Sequence, residues 1–339
     1  MSQPTRKIGG VSIPAIGFGA MGLSAAYGDV PSDEERLKFL DAVYERGCTH
    51  WDTADVYLDN EDLIGKWFTL HLERRQHIFL ATKFGQGDYA REGPNGEPEY
   101  VKSSLETSLK RLQTDYVDLF YLHRADPKVP IEKTVGAMAE LVKAGKVRHL
   151  GLSEVSASTL RRAHAVHPIA ALQVEYSAIW LDIESPEIGL LKTARELGIT
   201  VVAYSPLGRG LLTGQYRTPA DLPAGDFRSM IPRFSDPANF PRINVLADAL
   251  KAIGTAHGDA TAGQVALAWI LAQGDDIVTI PGTKKLKYLD ENLGASKVVL
   301  SAEEVAKIRK LAEDTNKTVT GERYPPGQVD RLFVDTPPL

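Results

Sequence analysis

Four residues able to hold or move protons fall at, or just after, the ends of short apolar runs. Asp52 lies near the end of THWDT (49–53), with Tyr57 five residues later; Lys83 closes IFLATK (78–83), and His123 closes VDLFYLH (117–123). A buried strand-end carboxylate is costly unless a cation faces it. If the runs are neighbouring parallel strands, Lys83 is that cation. A phenol with a pKa near ~10 keeps its proton at neutral pH and can donate it. A neighbouring ammonium favours the phenolate and makes donation easier. The carboxylate keeps the ammonium charged, and the imidazole can hydrogen-bond an incoming oxygen or join the relay. Together they form a general acid aimed at a developing alkoxide, which suits carbonyl reduction. No side chain supplies hydride, so this chemistry calls for a nicotinamide or flavin.

Each residue alone has a plainer reading. A strand-end Asp–Lys pair is more often a structural ion pair, a lone histidine a satisfied core residue, and a lone tyrosine packing. Their joint arrival at one mouth requires a scaffold. Eight apolar, β-rich runs supply it, at 15–19, 49–53, 78–83, 117–123, 147–153, 171–176, 199–204 and 277–281. Between them lie amphipathic stretches at 32–46, 60–72, 100–112, 131–144, 156–165 and 186–197, with a pair at 243–257 and 261–273. Ser32 with Asp33 and Glu35 forms a cap with an acidic first turn, and SAEEV at 301 repeats it. Near-continuous apolar strands indicate burial on both faces, and the gaps are long enough for parallel crossovers. Eight βα units fit a (β/α)8 TIM barrel, with a doubly wound sheet as the alternative. KIGGVSIPAIGFGAM (7–21) opens the chain with a hairpin signal. Long segments at 84–99 and 206–241 follow strands and should sit at the C-terminal face, where barrels keep their active sites. The expected organisation is a single barrel domain over 1–339 with a C-terminal tail at 314–339.

The 339 residues are 43% hydrophobic and 24% charged with net charge −5, and no basic stripe points to nucleic acid. One cysteine, Cys48, excludes an internal disulfide framework and suits a reducing compartment. MSQPTRKIGG lacks the apolar core of a secretion signal, and no run reaches the ~18 to 20 apolar residues of a membrane span. A cytoplasmic protein with no membrane partner and no metal is expected; its oligomeric state is open. GFGAMG (17–22) has the letters of a dinucleotide fingerprint, but no helix opens directly after it, which argues against a Rossmann domain.

With DTADVY, TKFG and YLHRAD in this order, followed by GLSEVS, LQVEYS, AYSPLGRGLLTG and IPGTKKLKYLDEN, the chain resembles the aldo-keto reductases from about residue 7 to 313. The likeness is greatest to the bacterial, fungal and plant branch carrying LHRADP and PGTK. It implies NADPH-dependent reduction of aldehydes or ketones, with a small-molecule carbonyl compound as substrate. In that resemblance Tyr57 is the proton donor, and Asp52, Lys83 and His123 complete the tetrad. NADPH lies across the barrel mouth, its carboxamide near Ser153, Glu154 and Gln173 and its nicotinamide on Tyr204. Ser205, Leu207 and Gly210 line the pyrophosphate, and Pro206, Pro281 and Gly282 are counted among the cofactor-binding residues. Thr283, Lys284 and Lys285 meet the 2′-phosphate, Glu291 and Asn292 lie near the adenine, and Ala20 and Met21 border the reacting carbonyl. Three lysines within four residues at a helix start suit phosphate independently of any resemblance. Two positions depart from the family pattern: Glu154 stands where many members carry Asn, and only lysines serve where many place Arg. Lysine binds phosphate without a bidentate fork, which favours NADPH without excluding NADH. Two other functions compete: a Schiff-base barrel using Lys83, and a nucleotide-binding redox sensor with little turnover.

Overall fold

The structure, a computed structural model, describes residues 3–25, 28–87 and 93–339. Gly9 and Gly10, at φ +57° and +85°, turn the chain between β1 (Thr5–Ile8) and β2 (Val11–Pro14). A two-residue hairpin turn with both central φ positive calls for glycine. The antiparallel pair places Ile8 and Ile13 under a ring of parallel strands, as a plug.

That ring is β3 (Phe18–Gly19), β4 (His50–Asp52), β5 (Phe79–Phe84), β6 (Val117–Leu122), β7 (Val147–Ser153), β8 (Ile169–Glu175), β9 (Thr200–Tyr204) and β10 (Ile277–Thr279). Each pairs in parallel with its sequence neighbour. The first and last strands meet through parallel bridges from Ile16 to Thr279 and Gly19 to Gly282. Backbone bonds from Gly17 N to Thr279 O (2.8 Å) and Thr279 N to Ala15 O (3.0 Å) close the circle. The (β/α)8 barrel expected from the sequence is thus present.

Helices α1 (Asp33–Glu45), α2 (Asn60–Leu70), α3 (Pro98–Leu112), α4 (Ile131–Lys143), α5 (Ala157–Val166) and α6 (Leu190–Glu196) wrap the first part of the ring. They are followed by α7 (Pro232–Ser235), α8 (Phe240–Ala256), α9 (Ala262–Leu271), α10 (Leu286–Gly294) and α11 (Ala302–Thr318). Both capping boxes legible in the sequence form, at Ser32 with Glu35 and Ser301 with Glu304. Among the described residues no helix is long and apolar enough to cross a membrane.

Alternation along the strands decides what enters the barrel. Phe79, Ala81, Leu119, Tyr121, Ala171, Val202, Val278 and Ile280 fill its interior with Ile8 and Ile13. At Gly151 a Cβ would come within 2.4 Å of the Tyr121 ring, so this strand yields its place to that side chain.

Two of the irregular segments differ from the sequence reading. The segment at 206–241 is broken into short turns at Gly208–Thr213, Pro219–Asp221 and Phe227–Met230 plus α7, punctuated by prolines and by caps from Asp226 and Asp236. The loop expected at 84–99 joins Phe84 to α3, and its residues 88–92 lie outside the described residues. Helix α11 runs to Thr318 because Ile308, Ala312 and Thr315 continue one buried face, so the tail starts at 319 rather than 314. That tail returns to the barrel mouth. Phe333 N donates to Glu154 O at 2.7 Å, and Arg162 holds the carbonyls of Thr336 (2.8 Å) and Pro337 (2.6 Å).

Candidate active site

Asp52, Lys83 and His123 come from three adjacent strand ends. Asp52 is in register with Ala81, so Lys83, two residues further along β5, points to the same interior. The Lys83 ammonium is fully buried and uses its three donors on Asp52 Oδ1 (2.5 Å), Thr53 O (2.8 Å) and the Tyr57 hydroxyl oxygen (3.3 Å). Gln173 Nε2 donates to the other Asp52 oxygen at 2.7 Å. Because an ammonium can only donate, the Tyr57 oxygen accepts, and its own proton must point elsewhere. The His123 ring stands edge-on to Tyr57, centroids 5.9 Å apart, and its Nδ1 is buried without a partner among the described residues.

Burial by itself would lower the Lys83 pKa, but Asp52 and Tyr57 raise it, so the amine stays an ammonium. Burial also raises Asp52, against the pull of Lys83 and Gln173. For Tyr57 the sequence argument needs correcting in balance. Lys83 does draw the phenol down, but burial raises it more, and the phenol holds its proton more tightly than in water. Burial, Arg124 and Lys83 press His123 well below its ordinary value, leaving a neutral imidazole.

The other sequence candidates fall around this centre. Ser153 is buried, and its Oγ accepts from Arg124 Nη1 at 3.3 Å. Glu154 leaves β7 at φ +52°, a left-handed backbone that costs a non-glycine residue about 1–2 kcal/mol. Its carboxylate is engaged by Arg323 rather than open to the mouth, and although burial pushes its pKa up, Arg323 draws it down overall. Tyr204 ends β9 half-buried, and Ser205 follows at φ +49°. Pro206, Leu207 and Gly210 continue that turn, with Gly210 at φ +95°. Leu207 approaches α9 near Glu291: a Cβ at Gly263 would lie 3.1 Å from Glu291 Oε1 and 3.7 Å from Leu207 Cδ2. Glu291 itself accepts from Thr261 Oγ1 at 2.6 Å, and Asn292 beside it is buried.

Pro281 and Gly282 carry the chain past Gly19 toward Thr283, Lys284 and the exposed Lys285 at the start of α10. No side chain caps that helix. Lys284 Nζ donates to the Asp29 carbonyl at 2.5 Å, and burial lowers its pKa. Ala20 is buried in the turn after β3, and Met21 is half-buried beside it.

The sequence reading missed Arg124, Glu175, Arg209, Arg323 and Tyr324, which meet at the same mouth. The signals available were an acid one residue before the end of the sixth strand run and a charged–aromatic pair, GERY (321–324), within a Pro-rich tail.

Comparison with known proteins shows the family. The Aldo/keto reductase family matches residues 15–313. The aldo-keto reductase str7 of Strobilurus tenacellus is 57% identical over all of this chain and 99% of its own length. An aldo-keto reductase of Schizosaccharomyces pombe, yakc, whose name specifies NADP(+), is 52% identical over 100% of this chain and 99% of its own. The crystal structure of an aldo-keto reductase from Klebsiella pneumoniae in complex with NADPH superposes with a TM-score of 0.70 at 26% identity, covering 99% of this chain and 100% of that one. With the family's match spanning the barrel strands and relatives aligned from end to end, the chain belongs to the aldo/keto reductase family of oxidoreductases.

Proposed function

We propose that this chain reduces aldehydes or ketones to alcohols with NADPH, reversibly, with Tyr57 as proton donor. The observation that carries this reading is the direction of the hydrogen bonds at Lys83: the ammonium donates to Asp52 and to Tyr57 at once, which leaves the phenolic proton free for a substrate oxygen. As that proton leaves, the forming phenolate stays against the fixed positive charge of buried Lys83, where such stabilisation is strong. Neutral His123 offers a hydrogen bond to the same oxygen without competing as an acid. Asp52, pinned by Gln173, keeps Lys83 in place.

The residues present fit a phosphorylated dinucleotide. The half-buried Tyr204 ring gives a platform beside the tetrad, the turn over 205–210 skirts α9, and uncapped α10 begins beside Lys285. Helix starts with basic side chains attract phosphate. When bound, the nicotinamide supplies the hydride. Thr283, Lys284 and Lys285 would meet the 2′-phosphate, Ser153 and Gln173 the carboxamide, and Ala20 and Met21 the substrate side. The NADP(+) in the name of the 52%-identical relative and the NADPH bound to the Klebsiella protein support the cofactor. The Schiff-base alternative requires a neutral Lys83, whereas all three ammonium donors are engaged and its pKa is raised.

Titration with NADPH and with NADH, following quenching of Trp and Tyr fluorescence, tests this. Addition of 4-nitrobenzaldehyde, with absorbance followed near 340 nm, then reads turnover. Selective NADPH binding followed by turnover is expected. Tight binding with only a single slow turnover across carbonyl classes would support a sensor, and no binding of either nucleotide would overturn the proposal.

A further inference from the structure

Arg323 comes from the tail, yet its side chain is only 3% exposed. Its guanidinium grips Glu154 with two prongs, Nη1 to Oε1 at 2.9 Å and Nη2 to Oε2 at 2.5 Å. The same Nη1 reaches Glu175 Oε2 and the Tyr204 hydroxyl, each at 3.1 Å. Tyr204 in turn donates to Glu154 Oε1 at 2.7 Å, and its oxygen lies 3.0 Å from the hydroxyl of Tyr324, the next tail residue. Glu175 is also met by Arg209 Nε at 3.4 Å. Two carboxylates and two arginines are therefore buried together beside the tetrad, an arrangement that apolar packing would replace at lower desolvation cost. What the network accomplishes is local: the phenol end of Tyr204 is tied to Glu154, Arg323 and Tyr324, while its ring remains half-buried at the mouth.

We propose that Arg323 is a positioning residue of the reductase, a tail guanidinium that acts directly and through Glu154 to hold the Tyr204 ring as the platform for the nicotinamide. This rests on the nucleotide reading given above. Glu154 then serves the tail rather than the carboxamide, which fits its saturated oxygens: Oε1 accepts from Arg323, Tyr204 and Glu175 N, and Oε2 from Arg323. The left-handed turn at Glu154 fits the same role, since Phe333 of the tail bonds its carbonyl while Arg323 takes its side chain. The tail thus meets both the backbone and the side chain of one strained residue. Strain of this kind persists where the surroundings over-determine it.

The test measures calorimetric affinity for NADPH and for adenosine 2′,5′-bisphosphate, which carries the phosphates and adenine but no nicotinamide. Wild type is compared with Arg323→Met, Arg323→Lys, Tyr204→Phe and the Arg323→Met/Tyr204→Phe double variant. Arg323→Met should weaken NADPH about tenfold, the scale of one well-oriented ring contact, and leave the bisphosphate unchanged. Tyr204→Phe, which removes only the tethered hydroxyl, should weaken NADPH in the same sense. The double variant should be no worse than Arg323→Met, and Arg323→Lys should recover part of the loss. Equal weakening of both ligands, additive effects, or unchanged NADPH affinity in folded Arg323→Met would overturn the proposal. Should Arg323→Met not fold, Tyr204→Phe with wild-type NADPH affinity would overturn it as well. Wild type that binds neither nucleotide would remove the reductase reading and this proposal together, whereas normal wild-type turnover with an indifferent Arg323 removes only the latter.

Discussion

At the scale of single residues, Tyr57 carries the sharpest expectation. Its oxygen accepts from Lys83, so deleting it removes the proton donor and leaves the Lys83–Asp52 pair intact. Tyr57→Phe should retain NADPH affinity and lose about 10²–10⁴-fold in kcat, measured by steady-state reduction of 4-nitrobenzaldehyde. Full activity in that variant would exclude Tyr57 as the acid. Two residues earlier, Asp55 has a buried Oδ1 without a partner among the described residues. Burial, with Glu61 adding repulsion, raises its pKa from 3.8 to about 7. The folded state therefore binds a proton there more tightly than the unfolded chain, and stability falls as pH rises from about 4 to about 7. The expected size is a few kcal/mol at most. Asp55→Asn mimics the protonated form, so urea unfolding at pH 5 and pH 8 should show a smaller alkaline loss in the variant than in wild type.

At the scale of elements, helix contact distances leave no room at particular glycines. A Cβ at Gly65 of α2 would lie 2.0 Å from the Arg111 carbonyl oxygen at the end of α3, and a backbone atom cannot swing aside. Gly65→Ala should destabilise by about 1–3 kcal/mol or more. Gly136, inside α4, has no atom beyond its own stretch of helix within 4 Å of such a Cβ among the described residues. There the same substitution should stabilise by about 0.5–1 kcal/mol, because alanine is the better helix former. Chemical denaturation of both variants reads the opposite signs. The elements themselves were largely legible. The βα alternation, the caps at Ser32 and Ser301, and the glycine turn at 9–10 are local patterns whose physics does not depend on distant chain. Boundaries were less so: α11 is carried through Thr318 by a buried face against α8, a contact that only packing reveals.

At the scale of the molecule, barrel closure and the returning tail bring residues from β4 through residue 324 to one mouth. A nucleotide bound there engages strand ends far apart in sequence and should stabilise the whole fold. By mass action, NADPH at a hundred times its Kd adds about 2.7 kcal/mol, so the thermal unfolding midpoint should climb with NADPH concentration. NADH at equal concentration should raise it less, since it lacks the phosphate that Lys284 and Lys285 are proposed to meet. Equal shifts would remove these lysines from cofactor selection.

By itself, the sequence determined the barrel, and its strand-end residues identified Asp52, Lys83 and His123 as neighbours. Strand alternation and the fixed order of parallel neighbours convert spacing directly into position, as the register of Asp52 with Ala81 and of Lys83 with Tyr121 bears out. Tertiary structure alone decided the electrostatic balance at Tyr57, where burial outweighs Lys83, and the partner of Glu154. The first depends on how much water surrounds the phenol. The second depends on the path of an irregular tail, and no periodic pattern encodes that a guanidinium 169 residues away will return to that carboxylate.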